Sequence, residues 1–159
     1  MRIISFGNLF CDYYIKDGSN IFVSGGKSNA NILANLSKYF KCAFYGIKGN
    51  DQEGEISLKS LEDVNIETSI RTINDETKTR FINGNVFSNI CPYCKKEYGY
   101  DGNKMFLNDL EGYIEENDYF VIDNLDEFKI IVLNKYPNEA FLNLEEIDDI
   151  ETFGFIELS

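Results

Sequence analysis

Apolar positions in this chain alternate between two rhythms. Arg2 to Gly7 is a nearly continuous apolar run closed by a glycine, which predicts a first buried strand over 2–7. Leu9 to Ile15 and Ile21 to Val23 flank Asp17-Gly18-Ser19-Asn20, whose Asp-Gly pair predicts a hairpin. From Ser28, an acceptable N-cap, to about Phe40 the rhythm changes. Ile32, Leu33, Leu36, Tyr39 and Phe40 recur at helical spacing and are expected to line one face of a helix. Residues 42–46 predict a short buried strand. Residues 52–63 predict a second helix carrying Ile56 and Leu58 to Leu61, with acids in its first turn, where the helix dipole favours them. Residues 66–73 and 78–87 are β-rich around Asn74-Asp75-Glu76 and predict a further strand pair. A cysteine-containing loop follows. Phe106, Leu107, Leu110, Tyr113 and Ile114 predict a third helix, Tyr119 to Ile122 a buried strand, and 126–135 a fourth helix. Ala140 to Leu142 and Phe153 to Ile156 predict two last strands.

Strands alternating with helices of this length predict an α/β fold. The expected form is a Rossmann-like, open, mostly parallel sheet with helices on both faces, plus a small β appendage built from the early hairpin and residues 78–100. No internal repeat, low-complexity linker or domain boundary interrupts residues 1–159, so one domain is expected. Ligands in such sheets bind beyond the carboxyl ends of the strands. Gly7, Gly46 and the loop after Ile122 are expected there.

Charge changes the picture of partners. The chain carries 15 Lys and Arg against 27 Asp and Glu, and residues 101–159 hold 16 of those acids but only 3 of the bases. An acidic half repels nucleic acid and anionic lipid, so neither is expected as a partner. The acidic stretch reads most simply as a solvated face. An acidic docking surface for a basic partner is the other reading. No window is apolar for long enough to span a bilayer, and Met1-Arg2-Ile3-Ile4-Ser5 leads straight into a strand rather than a secretory signal. The expected location is the cytoplasm.

Of the four cysteines, Cys11 and Cys42 lie in apolar strand-like runs and read as buried hydrophobes. Cys91-Pro92-Tyr93-Cys94 is a single CxxC in a chain without histidine, so by local spacing it offers only half of a tetrahedral zinc site. Cys91 and Cys94 stay open to three readings: no chemistry, which is the simplest, half of a metal site completed by another chain, or a redox pair. No complete metal site is expected.

The chemistry-bearing pattern lies earlier. Gly25-Gly26 opens a helix, where free backbone N–H groups and the positive dipole end meet. Asn29 and Asn31 follow, with amides that donate to and accept from hydroxyls. Asp12, five residues after Gly7, ends strand-like sequence. A carboxylate and amides beside close-approach glycines suit a polyol. The plainer alternative is that Gly-Gly marks a turn and the asparagines are solvated.

Gly7-Asn8-Leu9-Phe10-Cys11-Asp12, then Gly25-Gly26 with its following Asn, then Gly46-x-x-Gly49-x-Asp51-x-x-Gly54 come in an order that resembles the ribokinase-like (PfkB) family of sugar and nucleoside kinases. Leu58 to Thr68 resembles that family's long helix, small turn and V/I-D-T passage, and Glu76-Thr77-Lys78-Thr79-Arg80-Phe81-Ile82 its following lid strand. The short gap between Asp12 and Gly25 is closest in style to fructoselysine and fructosamine 6-kinase-like members. The match covers residues 2–82 well and 119–159 only as a strand–helix pattern. It implies a β lid, with strands within about 9–23 and 78–100, and a sugar held between lid and sheet. Asp12 would hold sugar hydroxyls, Gly25, Gly26 and Lys27 would line the sugar loop, and Asn31, in preference to Asn29, would reach a further hydroxyl.

One departure limits that implication. The family's late Asp-Thr-x-Gly-Ala-Gly-Asp run supplies an anion hole and the base that takes the proton from the sugar hydroxyl. Residues 83–159 hold only the isolated Gly84, Gly99, Gly102, Gly112 and Gly154. Asp51, Asp123 and Asp126 are the nearest substitute bases, and no motif nominates any of them. The expectation is a truncated ribokinase-like domain that phosphorylates a sugar hydroxyl, with ATP and Mg only when a C-terminal-half chain completes it. The alternative is a non-catalytic sugar- or nucleoside-binding module, or one that dimerises through its lid strands.

Overall fold

A computed structural model describes residues 1–99, 105–122, 126–136 and 139–142. The elements are β1 (Arg2–Asn8), β2 (Phe10–Lys16), β3 (Ser19–Gly26), α1 (Ser28–Leu36), β4 (Lys41–Gly49), α2 (Gln52–Glu62), β5 (Glu67–Ile73), β6 (Lys78–Asn83), β7 (Val86–Ser88), α3 (Leu107–Tyr113), β8 (Asp118–Ile122), α4 (Glu127–Lys135) and β9 (Ala140–Leu142). Five parallel strands form one sheet in the order β5-β4-β1-β8-β9. The open, mostly parallel α/β architecture read from the sequence is the one observed.

Period-two alternation inside the apolar runs sends neighbours to opposite faces, and both faces are covered. Ile3, Cys42, Phe44 and Val121 pack with Leu33 of α1 and Leu61 of α2. Ile4, Phe6, Tyr45 and Phe120 pack on the other side with Leu110 of α3 and Phe128 and Val132 of α4. Phe6 meets Phe120 and Phe128 edge-on at centroid distances of 6.1 and 5.8 Å. Such aromatic pairs contribute about 0.5–1.5 kcal/mol each beyond their buried area. At the amino edge Arg2 is buried and donates to both carboxylate oxygens of Asp118, at 3.0 and 2.7 Å, and to Glu67 at 3.0 Å. Arg2 and Asp118 are also Cα partners, so this bond fixes the β1–β8 register.

The second sheet has the order β3-β2-β6-β7. The β2–β3 hairpin turns at Asp17 and Gly18, with φ of 52° and 76°. Positive φ at both central residues is what a two-residue type I′ turn requires, and Asp-Gly supplies it cheaply. The register gives this lid two faces. Phe10, Asp12 and Tyr14 share one with Phe22, Ser24, Gly26, Lys78, Arg80, Ile82 and Phe87. Cys11, Tyr13 and Ile15 share the other with Gly25, Thr79, Phe81, Val86 and Ser88. α2 anchors that second face through three polar residues on one helical stripe. Glu53 accepts from Tyr13 Oη at 2.7 Å, Ser57 Oγ donates to the Phe10 carbonyl at 2.8 Å, and Ser60 Oγ accepts from the Gly25 N–H at 2.8 Å.

Several expectations are corrected. Residues 67–73 and 78–83 do not pair with each other. β5 adds to β4 in the main sheet and β6 to β2 in the lid, because residues 74–77 cross from one sheet to the other. Helix α1 stops at Leu36, and Tyr39 and Phe40 are exposed rather than on its buried face. Its N-cap is Lys27, not Ser28, since the backbone reverses at Lys27 with φ 77°. Gly46 lies inside β4, paired with Gly7, and not beyond the strand end. A Cβ there would stand 2.4 Å from the Gly7 carbonyl oxygen, so glycine serves strand packing at that point. The loop after Ile122 and the strand expected at 153–156 lie outside the described residues.

Candidate functional site

The stem of the lid, where β2, β3 and β6 meet the start of α1, gathers most of the residues singled out above. Asp12 projects from the middle of β2 and is 1% exposed. Arg80, its register partner on β6, donates Nε to Oδ1 and Nη2 to Oδ2, both at 2.8 Å. This fork-to-fork pairing fixes the carboxylate plane. The guanidinium is itself held between rings, 5.6 Å from the Phe10 centroid and 5.7 Å from that of Phe87. Gly26 sits beneath the carboxylate, where a Cβ would approach Asp12 Oδ2 to 1.8 Å. Only glycine leaves room for this carboxylate.

Gly25 is equally constrained. Its N–H is bound by Ser60, and a Cβ would stand 2.9 Å from the Ser60 Cβ. Lys27 holds the left-handed position at the start of α1 with Nζ 5.0 Å over the Phe10 ring. Asn29 and Asn31 part company. Asn29 is 2% exposed and turns inward, its Nδ2 donating to the Phe6 carbonyl at 3.4 Å. Asn31 is exposed and borders a pocket of about 40 Å³ shared with Gly25, Gly26, Ser57 and Ser60. The amide the helix directs toward the carboxyl end of β1 is therefore that of Asn29. Burial pushes the Cys11 thiol up to about 12, helped by the charges of Glu53 and Asp12, so this cysteine is no nucleophile.

The candidate bases are occupied elsewhere. Asp51 caps α2 by accepting from the Gly54 N–H at 2.9 Å, and it accepts from the N–H of Thr77 at 2.6 Å and from its hydroxyl. The Gly49 N–H in turn donates to Thr77 Oγ1 at 2.9 Å. The Gly-x-Asp-x-x-Gly motif is thus a joint that locks β4, α2 and the crossover into the lid. Asp126 caps α4 through the Lys129 N–H at 2.9 Å. Asp123 lies outside the described residues. Sequence reasoning missed Arg80, Thr77 and the Glu53-Ser57-Ser60 stripe. β6 is mostly polar and carries Lys78 as well, so the sole signal for Arg80 was its parity with Asp12 across a pairing 68 residues long.

No family model and no curated protein sequence matches the chain. Solved structures do. An uncharacterized sugar kinase from Pyrococcus horikoshii, in complex with ATP, aligns with a TM-score of 0.66 at 20% identity over 88% of this chain and 51% of its own. Aminoimidazole riboside kinase from Salmonella enterica gives 0.64 at 12% identity over 89% and 48%. A PfkB family carbohydrate kinase from Listeria grayi gives 0.62 at 14% over 89% and 50%. This chain has a ribokinase-like fold. It spans about half the length of the solved structures it matches.

Within that ribokinase-like fold, the described residues after β6 carry no run of glycines. Among them, Gly84, Gly99 and Gly112 are the only glycines after residue 82, and each is isolated. Gly99 lies against Lys78, and the other two face open space. No group of three or more His, Cys, Asp or Glu side chains among the described residues could hold Mg²⁺. No helix among them is long and apolar enough to cross a membrane.

Proposed function

We propose that this chain is the sugar-binding portion of a PfkB-type carbohydrate kinase, which phosphorylates a sugar hydroxyl from ATP with the phosphate-handling groups supplied from outside these residues. The reading rests on one observation above all. Asp12 is a buried carboxylate at the lid stem, gripped by Arg80 and stripped of any neighbouring side chain at Gly26. An ionised carboxylate has about four acceptor positions, and Arg80 takes two. The remainder suit vicinal hydroxyls, with Phe10 as an apolar floor for sugar C–H groups. At 1% exposure, Asp12 reaches a ligand only when the lid moves or Arg80 swings aside. Gly25, Gly26 and Lys27 line the approach, and Asn29 replaces Asn31 as the amide we assign to a hydroxyl. ATP and Mg²⁺ would bind only in the completed assembly. Four free thiols, three of them buried, suit a reducing cytoplasm.

The test is a thermal-shift and calorimetric panel of pentoses, hexoses, glycated amino acids and nucleosides. A cognate sugar at 100 times its Kd stabilises the fold by about 2.7 kcal/mol. That gain disappears in Asp12→Asn. A panel in which nothing shifts the wild type, or a shift that survives Asp12→Asn, rejects the site.

A second reading is a sugar- or nucleoside-binding module that transfers nothing. It is favoured by the commitment of Asp51 and Asp126 to helix caps. Losing one anion-hole donor alone costs about 10²–10³ in rate. The two readings separate when a chain carrying the glycine-rich half is added with ATP and the cognate sugar. Phosphorylated sugar supports the kinase, and binding without product supports the module.

A further inference from the structure

The kinase reading makes no use of the arm that follows β7. Residues 90–97 fold back on themselves, with an antiparallel bridge between Ile90 and Glu97. The Cys91 N–H donates to the Lys96 carbonyl at 2.8 Å, and the Lys95 N–H to the Cys91 carbonyl at 3.0 Å. Lys95, directly after Cys91-Pro92-Tyr93-Cys94, adopts φ 61° and closes this turn in the left-handed region. The arm is pinned to the lid. Tyr93 Oη donates to the Gly18 carbonyl at 2.7 Å, and Cys91 is buried against Ile15 and Phe81. Cys94 is exposed, with its Sγ 3.4 Å from Tyr98 Oη.

We infer that Cys91 and Cys94 are half of a tetrahedral Zn²⁺ site, and that a second copy of this chain completes it with its own Cys91 and Cys94. Soft thiolates two residues apart are the usual half of a closed zinc site, which takes four ligands. Among the described residues no third ligand joins them, and the chain has no histidine. A twofold axis through the metal supplies an identical pair, and such self-complementary contacts are the commonest in homo-oligomers. Charge agrees. Four thiolates around Zn²⁺ leave a dianion, and Lys95 of each copy, adjoining its Cys94, offsets it. The surroundings also agree. Val86, Ile90 and Tyr93, on the same face of the lid, are 66%, 51% and 54% exposed and border a shallow groove of about 470 Å³. A partner brought in by the metal covers them. The opposite face, which carries Asp12, is not covered by such a partner.

Zinc content and assembly mass decide the matter. The wild-type chain purified under reducing conditions with zinc should hold one ion per two chains, and a strong chelator should halve its mass in sedimentation equilibrium. Cobalt substitution should give the intense near-ultraviolet sulfur-to-metal bands of a four-thiolate site. Cys94→Ser changes an exposed side chain, so it keeps the thermal transition while losing the metal and the chelator-sensitive mass. Val86→Lys should weaken the assembly at dilute protein while the cobalt bands persist at high concentration. One zinc per monomer, an assembly mass indifferent to chelator, or a fully reduced chain that takes up neither metal overturns the inference.

Discussion

Asp51→Ala isolates the claim that the Gly-x-Asp-x-x-Gly segment is a mechanical joint and not a catalytic base. The substitution removes the α2 N-cap to Gly54, which costs about 1 kcal/mol. It also leaves the N–H and hydroxyl of Thr77 without their acceptor. Thr77 is 1% exposed, so water cannot replace the lost bonds, and an unsatisfied buried donor costs about 1–3 kcal/mol. Together these predict a loss of about 2–4 kcal/mol. In urea, with a slope of roughly 2 kcal/mol/M for a chain of this size, the midpoint falls by about 1–2 M. Asp51→Asn keeps an acceptor for Gly54 but turns an NH₂ toward the Thr77 N–H, so it should fall between. A cycle with Thr77→Val should show a coupling of about 1–2 kcal/mol, because the two residues share the bonds they lose. Sugar binding, measured where each variant is folded, should not change. A midpoint within experimental scatter of wild type, or purely additive losses, would refute the joint.

Two further outcomes follow from the packing. Gly26→Ala drives a methyl into Asp12 Oδ2, which cannot retreat while Arg80 holds both oxygens. The expected loss is about 1–3 kcal/mol together with the sugar-dependent shift, checked by urea titration with and without ligand. An unaltered midpoint would mean the carboxylate is not fixed there. At alkaline pH, Cys11 is raised from its ordinary 9.0 to about 12 and Tyr113 from 10.0 to about 12, both chiefly by burial. The unfolded chain releases these protons first, so their contribution is intact below pH 9 and is lost progressively toward pH 12. Urea midpoints should therefore fall between pH 9 and about 11, and a flat profile would contradict the burial of these groups.

The main sheet was legible because its strands are apolar on both faces. Ile3-Ile4 and Phe44-Tyr45 read as uninterrupted runs, and their length separates them from helices. The hairpin at Asp17-Gly18 was legible because its turn demands positive φ. The strand pair expected at 66–87 failed for a definable reason. A short polar gap looks the same whether the chain reverses into a hairpin or crosses to another sheet, and the Thr77–Asp51 bond that sets the crossing is made 26 residues away. Choosing between Asn29 and Asn31 needed the helix phase. Lys27, a residue that rarely adopts φ 77°, sets that phase, and nothing in its side chain announced it. Arg80 was hidden for the same reason as Thr77, since a bond between residues far apart in the chain leaves no mark on either one alone.

These bonds also divide the lid mechanically, and the division bears on function. Its base is tied to the body by the Glu53-Ser57-Ser60 stripe and by the Asp51–Thr77 joint, both next to Asp12. Beyond the base, its own buried cluster among the described residues is Ile15, Phe81 and Cys91 with Tyr13 and Tyr98 packed against it, smaller than either cluster in the body. Few buried apolar contacts mean a low free energy of local opening, whereas a densely bonded stem stays close to the global value. A lid built this way bends above its stem. In the proposed binding reading, Phe22 at the outer end moves with the tip while Asp12, Gly26 and Lys27 stay with the stem. On that reading, the bonded stem keeps Asp12, Gly26 and Lys27 in mutual register, and the loosely packed outer part supplies the movement that the buried Asp12 needs before it can meet a ligand.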